Sequence, residues 1–228
     1  MARSSVVAEE VVAVITEEEA RLARALEGLR HPSASVRLRA ALEVGTAARD
    51  SSVGVLIERC AVEPEFFVRD MLTWALVRHP AAVTVPGLVE ALGSPGAQAR
   101  SQALHTLSKI GDRGAWPAIT RELLADADDT VARSAWRAAV VLVPPDGRGE
   151  LARLLAAQFG RGGHETRLSL SRAFVALGEE ALPAVRTAMT APAPAVREHA
   201  IATERLVLDP DAGFEFALRE ARRIMVGG

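Results

Sequence analysis

Several residue types are scarce in this chain, and each scarcity removes a class of protein. There is no tyrosine, and aromatic residues make up 4% of the 228 positions. A sheet-rich chain is usually enriched in aromatic and β-branched residues, so the apolar share, mostly alanine, leucine and valine, favours closely packed helices. Cys60 is the single cysteine, which excludes an intrachain disulfide and any zinc site built on several thiolates. It sits within the apolar stretch from Val55 to Ala61, where a buried, inert thiol is expected. No long uninterrupted hydrophobic run is present. Glu9 and Glu10 break the one between Val6 and Ile15, so that run is expected to serve neither as a signal segment nor as a membrane span, and a cytoplasmic protein is expected. Lysine is nearly absent: Lys109 stands alone among 27 basic residues. Coding bias in a GC-rich genome explains this; a preference for the planar, bidentate guanidinium is the functional alternative. The net charge of −2 and pI near 6.2 provide no global field toward phosphate backbones, so nucleic acid is not an expected partner.

What is abundant is repetition. A small or β-branched residue followed by arginine and then by an apolar helical stretch recurs at Val36-Arg37, Val68-Arg69, Ala99-Arg100, Ala132-Arg133, Thr166-Arg167 and Val196-Arg197. The arginines are 32, 31, 33, 34 and 30 residues apart, a steady period that marks a repeat architecture. Each opens the second helix of a pair, with apolar positions at helical spacing such as Ala99, Ala103, Leu107 and Ile110. Turns are punctuated by His31-Pro32-Ser33, Glu63-Pro64-Glu65, Gly93 to Gly96, Gly160 to Gly163 and Ala191 to Pro194, the Gly160 to Gly163 stretch reading as the loosest. Pro86, Pro117 and Pro183 fall where first helices start, and Asp128 and Asp129 are placed to cap the fourth second helix.

One helix pair cannot bury its own apolar face, so stability must come from stacked neighbours. The expectation is an all-α chain, a right-handed α-solenoid of about six antiparallel helix pairs. They fall near 18–47, 50–78, 81–111, 113–143, 147–178 and 180–207. We expect a single domain over 1–228, with 1–17 as an N-terminal cap, the pairs within 18–208, and 209–228 holding a C-terminal capping helix that turns Phe214, Ala217, Leu218 and Ala221 inward and Arg219, Arg222 and Arg223 outward.

The recurrent Val-Arg opening, the alanine four residues later at Ala40, Ala103 and Ala200, and the closing glycines Gly111 and Gly178 resemble HEAT repeats. The likeness is to the short bacterial kind related to phycobilisome lyases, and it covers about residues 18–208. The resemblance implies a HEAT-like superhelix, and a repeat arginine that ties neighbouring pairs by meeting a preceding aspartate, evident here only as Asp128 and Asp129 before Arg133. It implies a fold far more than an activity.

In such solenoids the second helices usually line the concave side. On the second copy Asp70, Trp74 and Arg78 fall on one helical face, apart from the stripe of Val68, Leu72 and Leu76. Counting from each arginine, the position of Trp74 is occupied by Leu42, His105, Ala138, Arg172 and Ala202. The expected partner-binding surface is Asp70, Trp74, Arg78, Gln102, His105 and Arg137, since Trp and Arg dominate contact hot spots. The alternative is that Trp74 packs against the neighbouring pair and the charges are merely solvated. Trp116 and Trp136 read as structural.

No Ser-His-Asp arrangement, P-loop or GxGxxG is present, and no catalytic residue, metal ligand or cofactor is assigned. HEAT-like iron hydroxylases need repeated His-Glu pairs, whereas this chain has His164-Glu165 and a reversed Glu198-His199. Nothing marks the chromophore pocket of a bilin lyase. The reading is a non-catalytic interaction module or adaptor gripping a protein segment on its concave face, for example of a transcription regulator, with no membrane or small-molecule partner evident. The alternative from another class is a DNA-binding HEAT-like solenoid such as an alkylpurine DNA glycosylase. That would need a basic face, which Arg69, Arg78, Arg100, Arg133 and Arg137 only partly imitate.

Overall fold

The computed structural model describes residues 17–211 and 213–226, apart from the side chains of Glu215 and Val226. The expected cap over 1–17 therefore lies almost wholly outside the described residues. The described chain is all-α, with no strand. It divides into two compact units, Met1–Gln102 and Ala103–Gly228.

In the first unit α1 covers 17–28, followed by α2 (Ala34–Ala47), a 3-10 turn, α3 (Val53–Val62), α4 (Phe66–Val77), α5 (Ala81–Ala91) and the start of α6 (Ala97–Ile110). Short turns force each helix to double back on the last. Second helices α2 and α4 pack together, as do first helices α3 and α5. The apolar stripes explain this layering, since Ala40, Ala41 and Val44 of α2 and Val68, Leu72 and Leu76 of α4 are all buried. Contact is close enough that a Cβ at Gly28 would lie 3.0 Å from that of Ala40.

The second unit repeats the scheme. After α6 come a 3-10 segment (Arg113–Ala118), α7 (Arg121–Leu124), α8 (Asp129–Leu142), α9 (Arg148–Ala156), α10 (His164–Leu177), α11 (Leu182–Met189), α12 (Pro194–Leu208) and α13 (Phe214–Val226). First helices α7, α9 and α11 form one layer and second helices α8, α10 and α12 the other. Trp136 is fully buried and donates its indole N–H to the Leu124 carbonyl at 2.8 Å. Trp116 is half-buried. On α13, Phe214, Ala217, Leu218 and Ala221 are buried against Ala202 and Leu206, while Arg219, Arg222 and Arg223 are exposed.

The repeat arginine has a specific task that differs from the expected aspartate pairing. A second helix here commonly starts without a side-chain cap, as at Ser33, Glu65, Gly163 and Ala193. Its fourth residue, the arginine, folds back onto the carbonyls of the preceding turn. Arg37 reaches His31 and Pro32 at 2.9 and 2.8 Å, Arg69 reaches Glu63 and Pro64 at 2.9 and 2.6 Å, Arg100 reaches Ser94 and Pro95 at 2.9 and 3.0 Å, and Arg197 reaches Ala191 and Pro192 at 2.8 and 2.6 Å. One planar fork thus satisfies two carbonyls that a tight turn leaves unpaired.

The fourth copy breaks the rule. The fourth residue of α8 is Ala132, and Arg133 is the fifth, so it points elsewhere and meets Glu165 at 3.7 Å. Arg161 of the following copy substitutes, donating to the Asp126 carbonyl and, at 2.8 Å, to Asp129. Asp128 caps α8 through Thr130 and Val131 at 2.8 and 3.2 Å.

Two local expectations are corrected. Pro86 lies inside α5, because that helix already starts after Pro80, so the proline removes an interior hydrogen bond instead of an orphan N–H. The Gly160–Gly163 turn is tightly held. Gly160 and Gly162 have φ of 82° and 66°, and a Cβ on Gly162 would come within 2.6 Å of Asp129 and 2.8 Å of Thr166. Glycine is there for backbone angle and close approach.

Candidate second-helix face

Aligning the copies by helix start shows which residues share a position. The ninth residue of each second helix is Leu42, Trp74, His105, Arg137, Arg172 and Ala202. Arg137, not Ala138, is therefore the counterpart of Trp74, and Ala138 is fully buried. The one-residue displacement of Arg133 caused the error: the arginine marks the repeat but not the register.

In the first unit, Trp74 is both anchored and available. Its ring edge lies against Gly45 of α2, where an added Cβ would come within 2.6 Å of the indole and 2.7 Å of the Ala75 Cβ. The rest of the ring remains open, with 38% of the residue exposed. Arg78, one turn on, lies over the indole at 5.3 Å and donates from Nε to the Gly45 carbonyl at 3.0 Å. This cation over an aromatic face is worth about 0.5–1 kcal/mol at an exposed site. Asp70 is exposed on the same helix, and Gln102 is half-buried on α6.

Sequence reasoning passed over the aromatic start of α4. Phe66 and Phe67 are 65% and 75% exposed and meet edge to face at 5.5 Å, with Val62 exposed at the end of α3. Two adjacent phenylalanines at the first turn of a helix cannot both face the core, since neighbours point about 100° apart; that signal was in the sequence.

The turn behind this face is a polar hub. Arg37 makes a two-pronged contact with Glu63 at 2.8 and 2.7 Å, Arg59 reaches the same carboxylate at 2.6 Å, and the Glu65 N–H donates to it at 3.0 Å. Gln98 donates to the Cys60 and Glu63 carbonyls at 3.0 and 2.8 Å. Burial raises the Glu63 pKa, but the Arg37, Glu65 N–H and Arg59 hydrogen bonds outweigh it and bring it down to about 2. Cys60 is buried, and loss of solvation pushes its thiol up to about 12, which removes it as a nucleophile.

In the second unit the corresponding positions are basic. Arg137 is exposed and donates to His105 Nδ1 at 3.4 Å. Its pKa is lowered by loss of solvation and then by repulsion from Arg133 and Arg172. His105 is half-buried and Arg172 exposed. The last position, Ala202, is buried with the inward residues of α13.

The remaining singled-out residues have structural occupations. His199 is fully buried; the Gly160 N–H donates to its Nδ1 at 3.1 Å, and Nε2 faces the Arg167 carbonyl and Ser171 at 3.0 and 3.1 Å. Burial lowers its pKa to about 4, partly offset by the Arg167 carbonyl and helped by the Arg167 charge. Glu165 meets Arg133, and Glu198 meets Arg222 at 2.8 Å. Among the described residues no cluster of three or more metal-ligating side chains occurs, and no helix is long and apolar enough to cross a membrane. The two cavities of note, about 320 Å³ between α1 and α2 and about 310 Å³ between α12 and α13, are not lined by Trp74, Arg137 or Arg172.

Neither a family profile nor a characterised protein matches the chain. Among solved structures it is similar to an engineered protein, at 16% identity over 84% of this chain and 99% of that one, with a TM-score of 0.47. It is also similar to the CpcE and CpcF complex of phycocyanin lyase from Nostoc sp. PCC7120, at 17% identity over 86% of this chain and 91% of that one, with a TM-score of 0.39.

Proposed function

We propose that this chain is a non-catalytic, HEAT-like interaction module whose second-helix face grips a segment of another protein, for example part of a transcription regulator. The observation that carries this is Trp74: its edge is fixed against Gly45 and its orientation held by Arg78, yet 38% of it is left in water. A rigid, part-exposed Trp beside Asp70 and Arg78 loses little conformational entropy on binding, which suits a hot spot. Phe66 and Phe67 at the start of the same helix, with Val62 at the end of α3, add exposed apolar surface. Gln102, on α6 in the same unit, belongs to this proposed contact set, and His105 and Arg137 are proposed as partner contacts of the second unit in their own right.

The test compares wild type with Trp74→Ala in affinity capture from native lysate, alongside thermal melts. A stoichiometric protein lost in the variant at a nearly unchanged Tm supports the reading; equal capture by both, or unfolding of the variant, defeats it. The arginines of the second unit favour one rival, a DNA-binding solenoid. Salt-sensitive binding of duplex DNA, with no protein captured, would establish that rival instead.

A further inference from the structure

Several arginines of the second unit are matched with acids on a neighbouring helix or turn. Arg121 meets Glu150 and Arg148 meets Glu180, both at 3.5 Å, Arg186 meets Glu204 at 2.7 Å, and Arg222 meets Glu198 at 2.8 Å. The ninth residues of α8 and α10, on two helices packed together, are not. Arg137 and Arg172 have no carboxylate within ion-pair distance among the described residues, and they stand near enough to each other and to Arg133 for repulsion to be felt. Glu165, at the start of α10, is engaged with Arg133 at 3.7 Å. Arg137 instead donates to a histidine ring at 3.4 Å, a weak substitute for a carboxylate. Exposed on packed neighbouring helices, these two arginines hold a positive charge that no ion pair of the described residues offsets.

We infer that Arg137 and Arg172, flanked by His105 and Arg133, form a carboxylate-reading strip that receives an acidic stretch of a protein partner. The inference rests on the interaction-module reading for the partner's being a protein, and adds its chemistry. Two planar guanidinium forks on successive helices of one layer present donors in a row, each able to grip one side-chain carboxylate with two hydrogen bonds. Phosphates would fit the same forks, but the chain's net charge of −2 opposes the long phosphate tracks of a duplex.

Fluorescence anisotropy of a labelled Glu-Leu repeat peptide, with its Gln-Leu counterpart and a short DNA duplex as controls, tests this on the full chain. The expected result is binding of the acidic peptide alone. The Arg137→Gln/Arg172→Gln variant weakens it at least about tenfold per lost charge-assisted contact, while Arg186→Gln changes it less than about twofold, as for an exposed charge outside the strip. The double variant also keeps or raises Tm, because repulsion is relieved. No binding of the acidic peptide, equal binding by the double variant, tighter binding of the duplex, or a drop in Tm on losing the two arginines would each overturn the strip. Trp74→Ala separates the two ideas: it abolishes partner capture if the α4 reading holds, and leaves the acidic peptide bound.

Discussion

The turn before α4 and the turn before α10 perform one task with different materials. Both tie a helix pair to its neighbour through an arginine and an acid. In the first unit the Arg37–Glu63 pair is sealed, with side-chain exposures of 7% and 0%. In the second, Arg161 and Asp129 retain 20% and 42%, and the buried element is a neutral histidine, His199. The difference shows that the repeat constrains where a tie is made and not how dry it is, and the dielectric around each tie decides its energetic weight.

The sharpest way to break that comparison is Arg37→Ala. It removes the two-pronged contact to Glu63 in a dry site, leaving the carboxylate to Arg59 and the Glu65 N–H, and should cost about 3 kcal/mol in chemical denaturation, the low end for a buried pair cut on one side. Acid should next separate the units. His199 has a folded pKa below its unfolded value, so the unfolded chain binds more protons between about pH 6.5 and 4, and stability falls as pH drops through that window. Glu63 is also depressed, so its contribution is fully present above about pH 4.5 and is lost as pH falls toward about 2. Hydrogen exchange should therefore show the second unit loosening first, and His199→Gln should flatten that earlier limb.

Gly45→Ala should cost about 1–3 kcal/mol by overpacking α2 against α4, visible as altered Trp74 emission before any change around Trp136. Asp129→Asn should cost only about 1 kcal/mol, the upper end for a partly solvated pair. The smallest effect is expected from Phe66→Ser with Phe67→Ser, within about 0.5 kcal/mol by thermal melt because both rings are already in water.

The helix pairs were legible because their signals are local. Apolar period, closing glycines and turn prolines set the outer ends of the helix pairs within a few residues of where the described helices begin and end. The face was legible only in part. Asp70, Trp74 and Arg78 share one helix, so spacing alone set them together. Arg137 shares the column of Trp74 although a count from Arg133 points to Ala138, because Arg133 is the fifth and not the fourth residue of its helix. The hub at Glu63 was invisible: the donors to its carboxylate sit 26, 4 and 2 residues away, and no period links them.

What the sequence determined by itself is the repeated helix pair, since a hydrogen-bonded helix with one apolar stripe needs only its own residues and a like neighbour. The tertiary structure decided what each repeated position means. The same ninth residue is an anchored tryptophan in α4, a repelled arginine in α8 and a buried alanine in α12, because exposure and field come from whatever packs around it, and those neighbours lie a whole repeat away in the chain.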